Sequence, residues 1–311
     1  MNQSPIRRVA IIGTGVIGAS WSALFLAKGL DVVATDVAPD AEAKLRAFVD
    51  QCWPAMEQLG LAPGATRDRL TFEPVLDRAV QGADLVQENG PERIDFKREL
   101  YGKLDKLLPA STLIASSSSG LTMSEIQKAC PDHPERCFIG HPFNPPHLIP
   151  LVELVGGAQT SAETLDRAAA FYDGLGKRTV RLKKEVPGHV ANRLAAALLR
   201  EVMYLVAEDV ISVGDVDAAV SYGPGLRWGV MGPMLLYHLG GGAGGIDHWF
   251  DQFTGPITAW WGVLGNPQIT PDLRAKVTAG VMDEVAGCSI ESLEHQRDSE
   301  LMGLLKVRAA A

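Results

Sequence analysis

A doubly wound α/β domain followed by an all-helical domain is the fold class predicted by this sequence of 311 residues. Two regularities and one break carry the prediction. Short apolar, β-branched runs alternate with helical stretches from Val9 to about Glu185, and a glycine turn separates the first strand from the first helix. From Val186 the alternation stops. The expected division is residues 1–185 and residues 186–311, because a chain of this length tends to split its core.

Each element has its own signal. Val9, Ala10, Ile11 and Ile12 form a short apolar run ending at Gly13, the pattern of a strand buried on both faces of a parallel sheet. After Gly18, Trp21, Leu24, Phe25 and Lys28 recur at helical spacing. Gly29 ends that helix, and residues 31–36 form a second strand, closing a βαβ unit whose crossover is expected to be right-handed. Residues 41–59 read as a helix, 62–64 as a loop and 70–72 as a short strand. Residues 83–88 are a strand with Glu88 and Asn89 at its end, and 94–108 a charged amphipathic helix. Residues 112–115 run into Ser116–Ser119, 137–140 lead to His141, and the strands 151–155 and 179–182 complete the sheet.

The second half reads as helical throughout. Residues 190–211 form one long Ala/Leu/Val-rich pattern. Two more helical stretches, 215–221 and 274–305, flank a glycine-rich segment, 223–245, within which the cluster Gly240–Gly245 reads as a flexible connection. Its surplus of apolar side chains points to self-association.

Composition excludes several classes. A formal net charge of −8 and a pI of about 5.4 disfavour a nucleic-acid partner, which needs clustered Lys and Arg. Cys52, Cys130, Cys137 and Cys288 have no repeated spacing, so neither a disulfide framework nor a metal site is expected. The N-terminus has no signal-peptide pattern, and no window is long and apolar enough for a membrane span. A soluble, cytoplasmic protein is expected.

The turn Gly13-Thr14-Gly15-Val16-Ile17-Gly18 stands between a strand and a helix, the context in which this spacing binds a dinucleotide, as in a Rossmann-type domain. Gly13 allows the tight turn, Gly15 lets the backbone approach a diphosphate, and Gly18 allows close helix–strand packing. The amides at the helix start, from Val16 and Ile17 onward, favour the diphosphate charge. Asp36 closes the second strand 18 residues after Gly18. Its carboxylate can accept both hydroxyls of the adenosine ribose and would repel a 2′-phosphate, which favours NAD over NADP. FAD uses the same fingerprint, and the glycines alone leave it open.

Three segments converge on the carboxyl ends of the strands, where open α/β sheets bind ligands. They are Glu88–Asn89, Ser116–Ser119, and His141-Pro-Phe-Asn-Pro-Pro146. Oxidation of an alcohol needs a base for the hydroxyl proton, and His141 titrates in the right range. Glu153 lies in a strand otherwise made of Leu and Val, so it requires a partner if buried, and His141 supplies one. Taken singly, His141 is equally a turn histidine and Glu153 a strand-end salt bridge.

The sequence resembles the 3-hydroxyacyl-CoA dehydrogenase family over nearly its whole length. The resemblance is carried by residues 12–18, by Ser116-Ser-Ser-Ser-Gly-Leu121 and by Gly140-His-Pro-Phe-Asn-Pro-Pro146. Leu151-Val-Glu-Leu-Val155 and Val186-Pro-Gly-His-Val-Ala-Asn-Arg-Leu194 complete it. The His-x-x-Asn-Pro element followed by the strand glutamate is specific to that family and disfavours FAD. The resemblance implies His141 as base, Glu153 as its partner, and Ser119 and Asn192 as ligands of the substrate oxygen. It further implies that Asn144 holds the dyad or the substrate, that Glu88 lies near the nicotinamide ribose, and that the protein is a homodimer. Where the family usually has Ser-Asn-Thr-Ser, this sequence has Ser116 to Ser119. The last serine is kept, while Ser117, on the cofactor side, lacks the amide.

Within the family the sequence resembles the short branch of lambda-crystallin/L-gulonate 3-dehydrogenase and carnitine dehydrogenase, which act on small hydroxy acids. Residues 35–82 hold eight acidic residues against Lys44, Arg46, Arg67, Arg69 and Arg78, a poor setting for the phosphates of CoA. Gly223-Pro-Gly-Leu-Arg-Trp228 resembles an element of the short branch. Arg227 on a glycine-bounded turn is expected to bind a free carboxylate through two hydrogen bonds, the alternative being a helix-end arginine paired to a protein carboxylate. Trp228 offers a face for a quaternary ammonium, although its more ordinary reading is a core tryptophan. The expectation is an NAD-dependent oxidoreductase interconverting an L-3-hydroxy acid and its 3-keto acid. The alternatives are an enzyme for 3-hydroxyacyl-CoA and a non-catalytic NAD-binding structural protein.

Overall fold

An eight-stranded sheet organises the first of two units in the computed structural model, which describes residues 5–309. The strands are β1 (Arg8–Ile12), β2 (Asp31–Thr35), β3 (Leu70–Phe72), β4 (Leu85–Glu88), β5 (Leu113–Ser116), β6 (Cys137–Pro142), β7 (Leu151–Gly156) and β8 (Arg178–Arg181). Their order is β3-β2-β1-β4-β5-β6-β7-β8. All neighbours are parallel except β6 and β7. The direction of winding reverses between β1 and β4, so a crevice opens at their carboxyl ends. The observed strands agree with those expected from the sequence.

Helices α1 (Val16–Ala27), α2 (Ala41–Leu59), α3 (Leu76–Ala79), α4 (Ile94–Leu107), α5 (Met123–Ile126) and α6 (Ala162–Gly174) cross between the strands. Of these, α3, α5 and α6 lie outside the elements expected from the sequence. Helix α1 is buried all round from Gly18 to Ala27, so its apolar residues form no single stripe. Trp21 stacks on Phe25 at 5.2 Å and meets Tyr172 of α6 at 5.6 Å. On the sheet, Ala10, Val86, Ile114 and Ile139 pack with Tyr101 and Leu104 of α4 and with Met123 and Ile126 of α5.

The first unit runs to Arg193 and the second begins at Leu194. Helix α7 (Ala191–Ala207) starts in the first and continues into the second. It ends four residues before the expected Ile211. Asp209 is left-handed at φ 56°, with Val210 N donating to Leu205 O at 3.0 Å and Asp209 N to Val206 O at 3.3 Å, the two bonds of a Schellman stop. Ser212 then caps α8 (Val213–Tyr222), accepting from Asp215 N. Val206, Val213 and Val216 form a small core with Val202, Ile211 and Val277.

Two expectations for this unit are corrected. The single helix over 274–305 is two helices, α12 (Pro271–Val285) and α13 (Ile290–Ala309), because Ala286 and Gly287 both turn left-handed at φ 49° and 81°. The glycine-rich segment is not an irregular connection. It contains α9 (Pro224–Trp228) and α10 (Pro233–Gly240), each with proline in its first turn, and leads into α11 (Gly245–Trp261). Gly240–Gly245 is a tight corner between α10 and α11: a Cβ on Gly241 would stand 1.7 Å from Gly245 O. The corner lets Tyr237 stack on Trp249 at 4.4 Å. Gly241→Ala is therefore expected to destabilise this unit by about 1–3 kcal/mol through overpacking, read as a lower Tm in a thermal melt.

Candidate active site

The glycine turn follows β1 directly. Gly13 is left-handed at φ 84°, and a Cβ on Gly18 would lie 1.9 Å from Gly13 O, so strand and helix meet only because Gly18 has no side chain. At Gly15 a Cβ would have nothing within 4 Å. The backbone is thus bare toward open space at the amino end of α1, where the first helical amides lack partners within the helix. One oxygen of Asp36 accepts from Thr14 N at 2.6 Å and Thr14 Oγ1 at 3.0 Å, and the other accepts from Ala38 N at 2.9 Å. Burial opposes ionisation of Asp36, but these bonds outweigh it and hold the carboxyl below its ordinary value. A bare diphosphate cradle beside a carboxylate held below its ordinary pKa fits NAD.

Glu88, at the end of β4, is fully buried. Its carboxylate accepts from Lys97 Nζ at 2.8 and 2.9 Å, from Ser116 Oγ at 2.6 Å and from Gly90 N at 2.6 Å. Ser117 is likewise occupied within the protein: its hydroxyl accepts from Gln87 Nε2 at 2.8 Å and Trp21 Nε1 at 3.3 Å and donates to Asn89 Oδ1 at 2.7 Å. Two charged residues not singled out from the sequence belong to this network. Lys97 has only 1% exposure, although its helix reads as a charged surface one. Glu92, whose side chain is 41% exposed, lies 3.8 Å from Lys97 Nζ and accepts from Ser118 Oγ at 2.6 Å and Gly120 N at 2.7 Å. The spacing of Glu88, Glu92 and Lys97 along the strand end and first helical turn was the available signal.

His141 and Glu153 face each other across the antiparallel pair β6–β7. His141 Nδ1 lies 2.9 Å from Glu153 Oε2, and both residues are buried. The other carboxylate oxygen accepts from Val190 N at 2.8 Å and Ala191 N at 3.0 Å, which fastens the start of α7 to the strand. That helix start brings Asn192 Nδ2 to 3.5 Å from His141 Nε2. Burial pushes the Glu153 carboxyl up, but His141 and the two amides more than offset this, and it sits below its ordinary 4.5.

Ser119 and Asn144 are exposed, and neither side chain has a partner among the described residues. Asn144 precedes a cis peptide bond to Pro145. Arg227 and Trp228 lie in the second unit, on the five-residue helix α9 and not on the turn expected. Arg227 is exposed with no side-chain partner among the described residues, and Trp228 is 40% exposed. No cluster of metal-ligating side chains occurs among the described residues. The sequence also gave no prominence to His189, which packs on His141 with ring centroids 5.0 Å apart.

A dinucleotide cradle after β1 and a buried His–Glu pair across β6 and β7 fit an NAD-dependent dehydrogenase. Comparison with known proteins agrees. The profile of the 3-hydroxyacyl-CoA dehydrogenase NAD binding domain matches residues 8–186, and that of the 3-hydroxyacyl-CoA dehydrogenase C-terminal domain matches residues 188–281. An L-carnitine dehydrogenase of Streptomyces griseus is 48% identical over 301 residues, 97% of this chain and 90% of the relative. One from Pseudomonas putida is 45% identical over 301 residues, 97% and 94% of the two chains. A solved structure of the NAD-dependent 5-formyl-3-hydroxy-2-methylpyridine 4-carboxylic acid 5-dehydrogenase superposes with a TM-score of 0.83 at 32% identity, covering 98% of this chain and 99% of that one. The chain belongs to the 3-hydroxyacyl-CoA dehydrogenase family and is an NAD-dependent oxidoreductase acting on CH–OH groups.

The lowered Glu153 carboxyl has a stability consequence. Its ionised form favours the folded state, a contribution complete above about 4.5 and lost as the pH falls through the folded value. Glu153→Gln is expected to be less stable at neutral pH and to lose less further stability on acidification below about pH 4.5. Tm measured against pH in the two proteins checks this.

Proposed function

We propose that the protein interconverts an L-3-hydroxy acid bearing a free carboxylate and its 3-keto acid. The observation that carries this reading is the in-register pairing of His141 with Glu153 at 2.9 Å. Glu153 occupies Nδ1, fixing the tautomer and leaving Nε2 to take the hydroxyl proton. NAD supplies the hydride acceptor, so C3 loses a hydride as its oxygen loses a proton to His141. The Ser119 hydroxyl and the Asn192 amide hold that oxygen as it becomes a carbonyl, with Asn144 supporting the substrate. Glu88 and Ser117 act on the cofactor side through the network they anchor.

The free acid is favoured over a CoA thioester by charge. Every arginine of residues 35–82 has a carboxylate partner: Arg46 with Glu42 at 2.8 Å, Arg69 with Asp31 at 3.2 Å, Arg78 with Glu73 at 2.9 Å, and Arg67 with Asp50. Little unpaired positive charge is left there for phosphates. Carnitine, in the names of the relatives above, is a 3-hydroxy acid with a free carboxylate and a quaternary ammonium. Arg227 binds the carboxylate in this reading, and Trp228 offers its ring face to the ammonium.

The remaining parts of the proposal concern the whole molecule. It comprises a cofactor domain over residues 1–185 and a substrate and dimerisation domain over 186–311. It works as a cytoplasmic homodimer. Met234, Leu235, Trp260 and Trp261 are each more than half exposed, and apolar surface of that kind favours a partner. No helix of the described residues is long and apolar enough to cross a membrane.

His141→Gln is expected to lower kcat by about 10²- to 10⁴-fold, the usual worth of a general base, with NAD binding unchanged; near-normal turnover would remove the base from His141. Rates on carnitine, gulonate, 3-hydroxybutyrate and 3-hydroxybutyryl-CoA, compared side by side, should favour a free acid. Arg227→Met should raise KM for that acid about 10- to 100-fold, as the loss of a charged hydrogen-bonded contact does. An unchanged KM removes the carboxylate from Arg227.

A further inference from the structure

A second buried histidine stands beside the first. His189 is 2% exposed, yet its backbone is left-handed at φ 48°, directly after Gly188 at φ 77°. A side-chain-bearing residue seldom adopts that region, and such strain gathers at functional sites. Its Nε2 lies 2.9 Å from the carbonyl oxygen of Ser118. A carbonyl only accepts, so Nε2 carries the proton and donates it to that bond. Nδ1 is then the lone-pair nitrogen of a neutral ring, and it is buried without a partner among the described residues. The ring is tilted 50° to that of His141. His189 therefore touches both the serine turn and the proposed base.

We infer that His189 is a positioning residue for the reaction, holding the Ser118–Ser119 backbone against the His141 ring so that the Ser119 hydroxyl and His141 Nε2 meet one substrate oxygen. The inference rests on the reading of His141 as the base. The charged and titratable groups facing His189 are His141 from β6, Glu153 from β7 and Glu92 from the loop after β4. Burial lowers its pKa, the Ser118 carbonyl raises it, His141 lowers it, and the two carboxylates raise it; the net shift is below the ordinary 6.5. The ring is thus neutral at pH 7 and does not oppose the charge that His141 gains. In acid His189 itself gains a charge, beside the His141 ring.

Three variants test this. His189→Asn tolerates a left-handed backbone but is too short to reach the Ser118 carbonyl. His189→Phe keeps the ring and loses the bond. The amide nitrogen of His189→Gln reaches the place of Nε2. The Asn and Phe variants are expected to lose about 10-fold in kcat/KM for the hydroxy acid, the fold-change expected for one net hydrogen bond, with Kd for NAD unchanged. The Gln variant should stay within about threefold of wild type. All three should alter the acid limb of log kcat/KM against pH, because none can take up the charge that His189 gains there. Wild-type kcat/KM and an unaltered acid limb in the Asn variant, or a Gln variant as impaired as Asn, overturns the inference. His141→Gln assayed in parallel separates the two readings: an inactive His141→Gln with normal His189 variants sinks this one alone, while an active His141→Gln sinks both.

Discussion

The carboxylate of Glu153 has two oxygens, and they reach different elements. One meets His141 on the neighbouring strand, and the other meets the first amides of α7. An ionised carboxylate this deeply buried is tolerated only when such partners surround it. The site's geometry depends on that constraint. The antiparallel register of β6 and β7 sets Glu153 opposite His141, the amides set where α7 begins, and the beginning of α7 sets Asn192. Removing the carboxylate would unfasten a strand, a histidine ring and a helix start together.

A comparable arrangement holds the cofactor side. Lys97 and Glu88 are both buried, and Ser116 and Gly90 complete the coordination of the carboxylate. Lys97 also faces Glu92, which gathers the amides and hydroxyl of the serine turn. The ends of β4 and β5 are thereby joined through side chains as well as through the sheet. With Asp36 bonded back to Thr14 of the glycine turn, the loops that follow β1, β2, β4 and β5 are each held by side-chain hydrogen bonds within the protein.

What the sequence discloses depends on how local the determining interactions are. Val9–Ile12 and the glycines that follow are legible because strand burial and tight turning are decided by neighbouring residues. His141 and Glu153 are legible as a pair because a glutamate in an apolar strand demands a partner. Lys97 was hidden: its helix alternates charge in the manner of a surface helix, and only the placement of Glu88 under it draws the ammonium inside. His189 was hidden for a related reason, since its bond to Ser118 spans 71 residues. In the second unit, Gly287 gave a local stop that the apolar pattern around it obscured. The glycines of 240–245 resembled a flexible link because sequence does not tell a glycine needed for freedom from one needed for lack of bulk.

The paired arginines of residues 46–78 carry one more implication, for behaviour in salt. Each cation there has its counter-charge within a few ångströms, so the pairs cancel locally and project little field beyond a Debye length of about 8 Å at physiological ionic strength. Raising the salt concentration weakens the pairs themselves, which contribute little as exposed ion pairs, but removes no long-range attraction for an anionic ligand. This face of the molecule accordingly offers an anion little steering from a distance, in dilute buffer or in concentrated salt.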